Sequence, residues 1–383
     1  MAETNPYTGR EQTKTKHFIL KTYLQALAFK VLGFSDVTYV DGFSGPWETR
    51  TESFTDSSFM IAINVLKDAQ QQVAKRGVLP RIRCFFCERD RETFKKLQAA
   101  VVQYHRPDQG FEIQTYCGEF TDAVTEISAF VGTSFALIFI DSTGWIGYGI
   151  PLIKPLLIRR KTEVIINFMY DFVNRAAGMS DPKTIASLNP ILGGEGWSDR
   201  LDPVLAKQAR GAAVEKLFRE TLQMAGQFEF IISTKIYRTT IDRLQFSLIY
   251  GTKDKAGLKT YRETEYIALK KHAADRFDAK ERKREEVSGS ADLFYGMGNA
   301  VQSAGIDQLV SLQKEAARGY ILTLLSDGPK SFANVWPAVL QRFVLRETNV
   351  KDICVALFNA EVLVAIRSPH LFVTRVLKYR LRA

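Results

Sequence analysis

The feature that most restricts the fold is an alternation. Short runs rich in Val, Ile, Phe and Tyr are separated by stretches with helical periodicity. "DVTYVD" (36–41), "RIRCFFCE" (81–88), "FEIQTYC" (111–117), "FALIFID" (135–141) and "EVIINFMY" (163–170) read as five strands. The stretches between them read as helices. The run "FALIFID" is apolar almost throughout, as a central strand covered on both faces must be. Strands that alternate with helices predict an α/β chain with a mostly parallel sheet. Two further runs, "FEFIISTKIYRT" and "RLQFSLIYGTK", are close enough to pair antiparallel. A mostly helical insertion is expected between them and the fifth strand, over about 174–226. Ahead of everything, "TKTKHFILKTYLQALAFKVLG" sets Phe18, Leu20, Tyr23, Leu24, Leu27 and Leu32 near one face of a helix, which Gly33 would cap.

Charge dominates over 270–292, where a solvated helix or a linker is expected. A boundary there divides the chain into 1–285 and 286–383. The second part holds three helix-like segments, one opened by Thr348 or Asn349 as N-cap, and a β-like tail. Three short helices with a β element suggest a small winged-helix-like module. It would serve protein contacts as readily as DNA.

The 383 residues hold one large domain or two ordinary ones, and 46% hydrophobic with 25% charged residues are globular values. No apolar run reaches the ~20 residues that span a bilayer. With four cysteines and no signal-like start, a reducing, cytoplasmic location is expected. Lys and Arg exceed Asp and Glu by 52 to 42, giving +10. Such a field favours polyanions, chiefly nucleic acid, and is equally that of an ordinary basic soluble protein.

In open α/β sheets, ligands bind beyond the carboxyl ends of the strands. Four of the strand ends carry a carboxylate at or within two residues: Asp41 before Gly42-Phe43-Ser44-Gly45, then Glu88, Glu119 beside Phe120, and Asp141. One acid at a strand end is an ordinary soluble corner. Four of them, one beside a Gly-rich turn, suit a nucleoside. Gly42 and Gly45 would let it approach the backbone, Glu88 would accept from ribose hydroxyls and Glu119 from an exocyclic amine. Neither G-x-G-x-x-G nor G-x-x-x-x-G-K-[ST] is present. A nucleoside with no pyrophosphate to wrap, such as S-adenosylmethionine, fits better than a dinucleotide or ATP.

The segments "TKTKHFILKTYL", "YVDGFSGPW", "CFFCERD", "YCGEF", "ALIFIDSTGW", "EVIINFMYDFVNR", "ILGGEGW" and "LIYGTKDKAGLKTYRE" resemble, in that order, the three-Cys-motif partner (TcmP) family. The resemblance covers about residues 14–270 and extends to the C-terminal part. It implies a Rossmann-like class I S-adenosylmethionine-dependent methyltransferase domain working with a separate three-Cys-motif protein, itself an iron–sulfur, radical-type enzyme. By the same resemblance Asp41, Phe43 and Gly45 surround the methionine part of the cofactor, Glu88 holds the ribose and Glu119 lies by the adenine. Gly42 and Phe120 belong to that cofactor set, and Asp141 faces the transferred methyl group.

Ser142 stands where the family's fourth motif has proline, which favours a rival reading: a non-catalytic binding subunit with a degenerate cofactor pocket. Trp145 would stack on a flipped base or pack in the core. Asn167, Tyr170, Asp171, Asn174 and Arg175 follow the fifth strand, where substrate loops sit in this fold. Lys14, Lys16 and His17 would meet a cofactor carboxylate or form a solvated helix start. Cys84 and Cys87 have metal spacing, but on a strand they face opposite sides, so no metal site is expected.

Overall fold

The structure, a computed structural model, describes residues 6–381 except 46–48, 50, 52, 78, 203–204, 289–297 and 368–376. Pro46, His370 and the start of the β-like tail lie outside the described residues. The chain forms two compact units, Met1–Asp254 and Lys255–Ala383.

The first unit holds the expected alternation. Helix α1 (Glu11–Val31) precedes β1 (Val37–Asp41), α2 (Ser58–Ala74), β2 (Ile82–Glu88), α3 (Arg91–Val101) and β3 (Phe111–Cys117). Then come α4 (Val124–Val131), β4 (Phe135–Ile140), α5 (Ile150–Leu157) and β5 (Thr162–Phe168). The helical insertion is α6 (Tyr170–Ala176), α7 (Pro182–Leu192) and α8 (Lys207–Gly226), and the hairpin is β6 (Phe230–Tyr237) with β7 (Leu244–Thr252). Helix α1 ends one residue before its cap Leu32, so Gly33 is not the cap.

The strands form one seven-stranded sheet in the order β3-β2-β1-β4-β5-β7-β6. Pairing is parallel from β3 to β5, and β7 runs antiparallel to both of its neighbours. This is a Rossmann-like methyltransferase fold. The order reverses between β1 and β4, which pair with Asp41 opposite Phe139, so the crevice of the switch point opens above these two strands.

Strand period decides what each side chain meets. Val40, Phe85, Cys87, Ile138, Ile140 and Ile166 point into a core shared with α4, α5, α7 and α8. Tyr39 and Phe86 point the other way, and Phe86 meets Phe59 of α2 with ring centroids 6.0 Å apart. On that same side Tyr23 of α1 packs edge-on against Tyr250 of β7, at 5.1 Å. Tyr23 also donates to the buried carboxyl of Glu163, whose Oε1 accepts from Thr252 at 2.8 Å. Burial is the main cause that pushes this carboxyl above its ordinary range.

The second unit runs α9 (Lys255–Ser288), α10 (Gly298–Ser326), β8 (Lys330–Ser331), α11 (Phe332–Arg342), α12 (Glu347–Asn359), β9 (Leu363–Arg367) and β10 (Leu377–Leu381). Its three strands pair antiparallel in the order β8-β10-β9. The boundary expected after residue 285 falls near the end of α9. That helix groups with this unit because its buried Arg262 donates to Leu340 O of α11 at 2.7 Å. The expected N-cap of α12 is displaced. Arg346 takes that position, and Asn349 reaches back to accept its N–H at 3.0 Å.

The packing makes a direct forecast. Phe139, fully buried in β4, should cost about 3–5 kcal/mol when cut to alanine. Phe34, exposed before β1, should cost no more than about 0.5 kcal/mol. Urea unfolding midpoints of the two variants test this contrast.

Candidate functional site

The corner after β1 is built around Asp41. Because Asp41 shares a strand face with Tyr39, its side chain turns toward the first turn of α2 and is wholly buried. Oδ2 accepts from Ser58 Oγ at 2.7 Å and from the Tyr39 hydroxyl at 3.2 Å, and Oδ1 accepts the Phe43 N–H at 3.1 Å. Burial pushes this carboxyl up to about 6, with the Ser58 and Phe43 donors opposing the rise. The loop is then pinned to both flanking strands. Gly42 N–H donates to Phe139 O at 3.0 Å, and Ser44 N–H to Cys87 O at 2.8 Å. A Cβ on Gly42 would come within 2.9 Å of the Phe120 ring, so this glycine is required by close packing.

Above the corner lies a cavity of about 590 Å³, well inside the range of small-molecule sites. Of the residues expected from the sequence, Gly42, Phe43, Gly45, Glu88, Glu119, Phe120, Asp141 and Trp145 line it. They come from the ends of four strands, and the fold brings them together. Asp41 is not among the lining residues; it shapes the wall from behind.

Glu88, at the tip of β2, is 2% exposed. Its Oε1 accepts the Asp90 N–H at 2.7 Å, while its buried Oε2 has no hydrogen-bond partner among the described residues. Burial holds this carboxyl above its usual value. Glu119, one strand further on, is half-exposed and pairs with Arg89 at 3.4 Å. Opposite it, Gly147 has φ +92°, and a Cβ there would crowd Phe43 and the Glu119 carboxylate at 3.3 and 3.4 Å.

Asp141 sits just past β4. Lys16 of α1 reaches its Oδ2 at 2.6 Å and its Oδ1 at 2.8 Å, and Asn167 Nδ2 donates to Oδ1 at 2.7 Å. Ser142 is buried and donates to Gly144 O at 2.8 Å, closing the turn that a proline would otherwise stiffen. Trp145 lines the cavity with its indole N–H anchored on Ser187 Oγ of α7 at 3.0 Å. His17 also lines the cavity, and it is neutral. Burial, aided by Lys16, pushes its imidazole down to about 3, and the Tyr7 hydroxyl lies 3.1 Å from Nδ1.

Tyr170, Asn174 and Arg175 are not brought into the cavity. Helix α6 begins at Tyr170, so residues 170 and 174 share a face, and that face meets α8 at Gly211. The Tyr170 hydroxyl donates to Gln208 O at 3.3 Å and Asn174 Nδ2 to Lys207 O at 3.0 Å. Arg175 lies over the ring of Phe172 at 4.8 Å. Met169 and Phe172 reach the cavity instead. Sequence reasoning also missed Lys16 and Asn167 as partners of Asp141, and Gln245 and Phe246 as lining residues of β7. In the sequence Asn167 stands among the substrate candidates after the fifth strand, and nothing there links it to Asp141. Cys84 and Cys87 are buried in β2, with both thiols pushed upward by burial.

No family model matches the chain, and no curated protein does. Among solved structures it is similar to cofactor-bound Rv0187 from MTB, at 14% identity over 67% of this chain and 93% of that one, with a TM-score of 0.33. It is similar also to the O-methyltransferase from Bacillus cereus in complex with SAH, at 12% identity over 62% and 81%, TM-score 0.35. A third is protein LPL1258 from Legionella pneumophila, at 13% identity over 69% and 93%, TM-score 0.39. At such scores the fold assignment rests on the strand order and register of the chain itself.

The buried carboxyl of Asp41 makes stability depend on pH with a defined sign. Its folded-state value of about 6 exceeds the ordinary 3.8, so between these the native state keeps a proton that the unfolded chain has lost. Its stabilising contribution is full below about pH 4 and is lost as pH rises through 6. Relative to Asp41→Asn, the wild type should lose on the order of 3 kcal/mol between pH 4 and pH 7. Paired urea titrations at the two pH values test it.

Proposed function

We propose that this chain is an S-adenosylmethionine-dependent methyltransferase. The observation that carries the reading is Glu88. A carboxylate at the tip of the strand beside the switch point keeps one oxygen on a backbone N–H and leaves the other without a partner among the described residues, in a residue that lines the cavity. A buried acceptor left unmet costs about 1–3 kcal/mol. A ligand bearing vicinal hydroxyls, such as a ribose, removes that cost.

The surroundings fit the rest of the cofactor. Glu119, at the tip of the next strand outward, is placed for an exocyclic amine. Phe43 and Phe120, with ring centroids 6.2 Å apart, give an apolar wall. Gly45 and the pinned backbone of Gly42 and Phe43 also line the cavity. When bound, the cofactor supplies an electrophilic methyl group on a sulfonium. The chain's own task is to hold an acceptor in line with it, since proximity and orientation provide much of the gain in such reactions.

A nucleic-acid base as acceptor and a three-Cys-motif protein as partner are the finer parts of the proposal. The net charge of +10 supports the first. So does the α10-β8-α11-α12-β9-β10 order within the second unit, with its small antiparallel sheet, which resembles that of a winged-helix module. The family resemblance in the sequence supports the second. The rival reading of a degenerate pocket is disfavoured by the convergence of Gly45, Glu88, Glu119 and Asp141 on a single cavity.

Calorimetric titration with S-adenosylmethionine and S-adenosylhomocysteine tests the proposal. The wild type should bind both at one site, and Glu88→Ala should weaken binding by about tenfold or more, near 1.4 kcal/mol. A folded wild type that binds neither would overturn the methyltransferase reading.

A further inference from the structure

Beside Glu88, the cavity has a second unmet acceptor, on the side away from the proposed adenosine region. Asn167 is the last polar residue of β5, 3% exposed, and it lines the cavity. The orientation of its amide is fixed by its neighbour. A carboxylate accepts only, so the group facing Asp141 Oδ1 at 2.7 Å must be the Nδ2 donor. The carbonyl Oδ1 is therefore turned elsewhere. It is buried and has no hydrogen-bond partner among the described residues.

Asp141 is nearly saturated. Of the about four lone-pair positions of a carboxylate, Lys16 takes one on each oxygen and Asn167 takes the second on Oδ1. One position remains, on Oδ2. Two acceptors with capacity left thus belong to residues that line this side of the cavity, Asp141 Oδ2 and Asn167 Oδ1, and the cations described around the cavity are already engaged. Lys16 is held by Asp141, Arg10 pairs with Asp56 at 3.0 Å, and Arg89 pairs with Glu119. Apolar side chains complete this part: Trp145, Ile146, Met169, Phe172 and Phe246.

We infer that Asn167 is a specificity-determining residue, and that with Asp141 it selects a primary amino group on a planar, uncharged ring as the methyl acceptor. The inference rests on the methyltransferase reading above. A primary amine has two N–H donors and fills both acceptors, whereas a hydroxyl has one and leaves the other buried and unpaired. Sites built to pair a donor discriminate strongly against analogues that lack it. The aromatic and aliphatic walls suit a flat ring, and among the described residues Lys16, Arg10 and Arg89 are each paired with a carboxylate. The phosphates of a larger acceptor would stay outside. In the transfer the amine lone pair forms the N–CH3 bond while the S–CH3 bond breaks, leaving its electron pair on sulfur. The nitrogen then gives one proton to Asp141 Oδ2, from which it passes to water. Asn167 Oδ1 takes over the part of a second acceptor beside Asp141, since the Ser142 hydroxyl is turned back onto Gly144 O.

The test loads the full-length protein with S-adenosylhomocysteine and titrates it with adenosine against inosine, and with cytidine against uridine. The members of each pair differ in an amino or an oxo group at one ring position. The same rings are then offered in short single-stranded oligonucleotides, with transfer of a tritiated methyl group from S-adenosylmethionine as second readout. For at least one pair, the amine-bearing ring should bind about tenfold or more tightly than its oxo counterpart. That ratio should fall below about threefold in both Asn167→Ala and Asn167→Ser, while S-adenosylhomocysteine binding persists and shows the cavity to be intact. Methyl transfer to the nucleoside or only to the oligonucleotide identifies the source of the ring. Equal binding within both pairs, a preference that survives in both variants, or no binding of any probe would overturn the inference. Failure of the wild type to bind S-adenosylhomocysteine would be a distinct result, removing the cofactor reading before any acceptor is involved.

Discussion

A carboxylate buried at the end of a parallel strand is expensive unless donors surround it, and the site depends on how Asp41 meets that requirement. Its donors come from three places: Tyr39 in the same strand, Phe43 in the turn that follows and Ser58 at the head of the next helix. The contacts that satisfy the charge therefore also fix strand, turn and helix to one another. Backbone bonds from Gly42 to β4 and from Ser44 to β2 complete the attachment. The chain is led away from the sheet at the switch point, and the cavity is the space this opens. Asp41 orders the site without lining it.

The second organising contact is the ion pair of Lys16 with Asp141, which joins the first helix to the end of β4. Both side chains are largely buried, 11% and 14% exposed, so the pair is poorly screened and each charge depends on the other. The same economy holds around the cavity. Arg10 lies on Asp56, Arg89 on Glu119, and His17 is kept neutral by burial. The excess positive charge of the chain is thus not concentrated in the cavity.

Much of this was legible in the sequence, for reasons that differ between residues. Strand and helix alternation is a local signal, and the strands, the helical insertion and the antiparallel hairpin all follow from it. The strand-end carboxylates were legible because the carboxyl edge of such a sheet is where ligands sit. The direction of Asp41 needed the strand face and the position of α2, neither of which spacing alone supplies. Tyr170 and Asn174 were misplaced for a related reason: a helix starting at Tyr170 puts both against α8 instead of the cavity. The Lys16–Asp141 contact joins residues 125 apart in sequence, beyond the reach of any local pattern. The charged stretch near 280 is helical and continues α9 with His272, Ala279 and Glu281 buried, so a composition change there marked a helix and not a linker.

Four acidic strand ends looked alike in sequence, and the fold gives them four different fates. Asp41 holds three donors of its own chain and lies behind the cavity wall. Glu119 is paired at the surface with Arg89, a contact worth at most about 1 kcal/mol that a ligand can displace. Asp141 is filled by Lys16 and Asn167 except for one position. Glu88 alone keeps a whole buried oxygen without a partner. What marks a binding carboxylate is thus neither its presence at a strand end nor its burial, since Asp41 has both and lines nothing. The mark is acceptor capacity left unfilled in a residue that lines the cavity. By that measure unfilled acceptor capacity concentrates at two points, Glu88 on one side of the switch and Asn167 with Asp141 on the other. The backbone of the corner after β1 runs between them, where a ligand spanning both would have to lie.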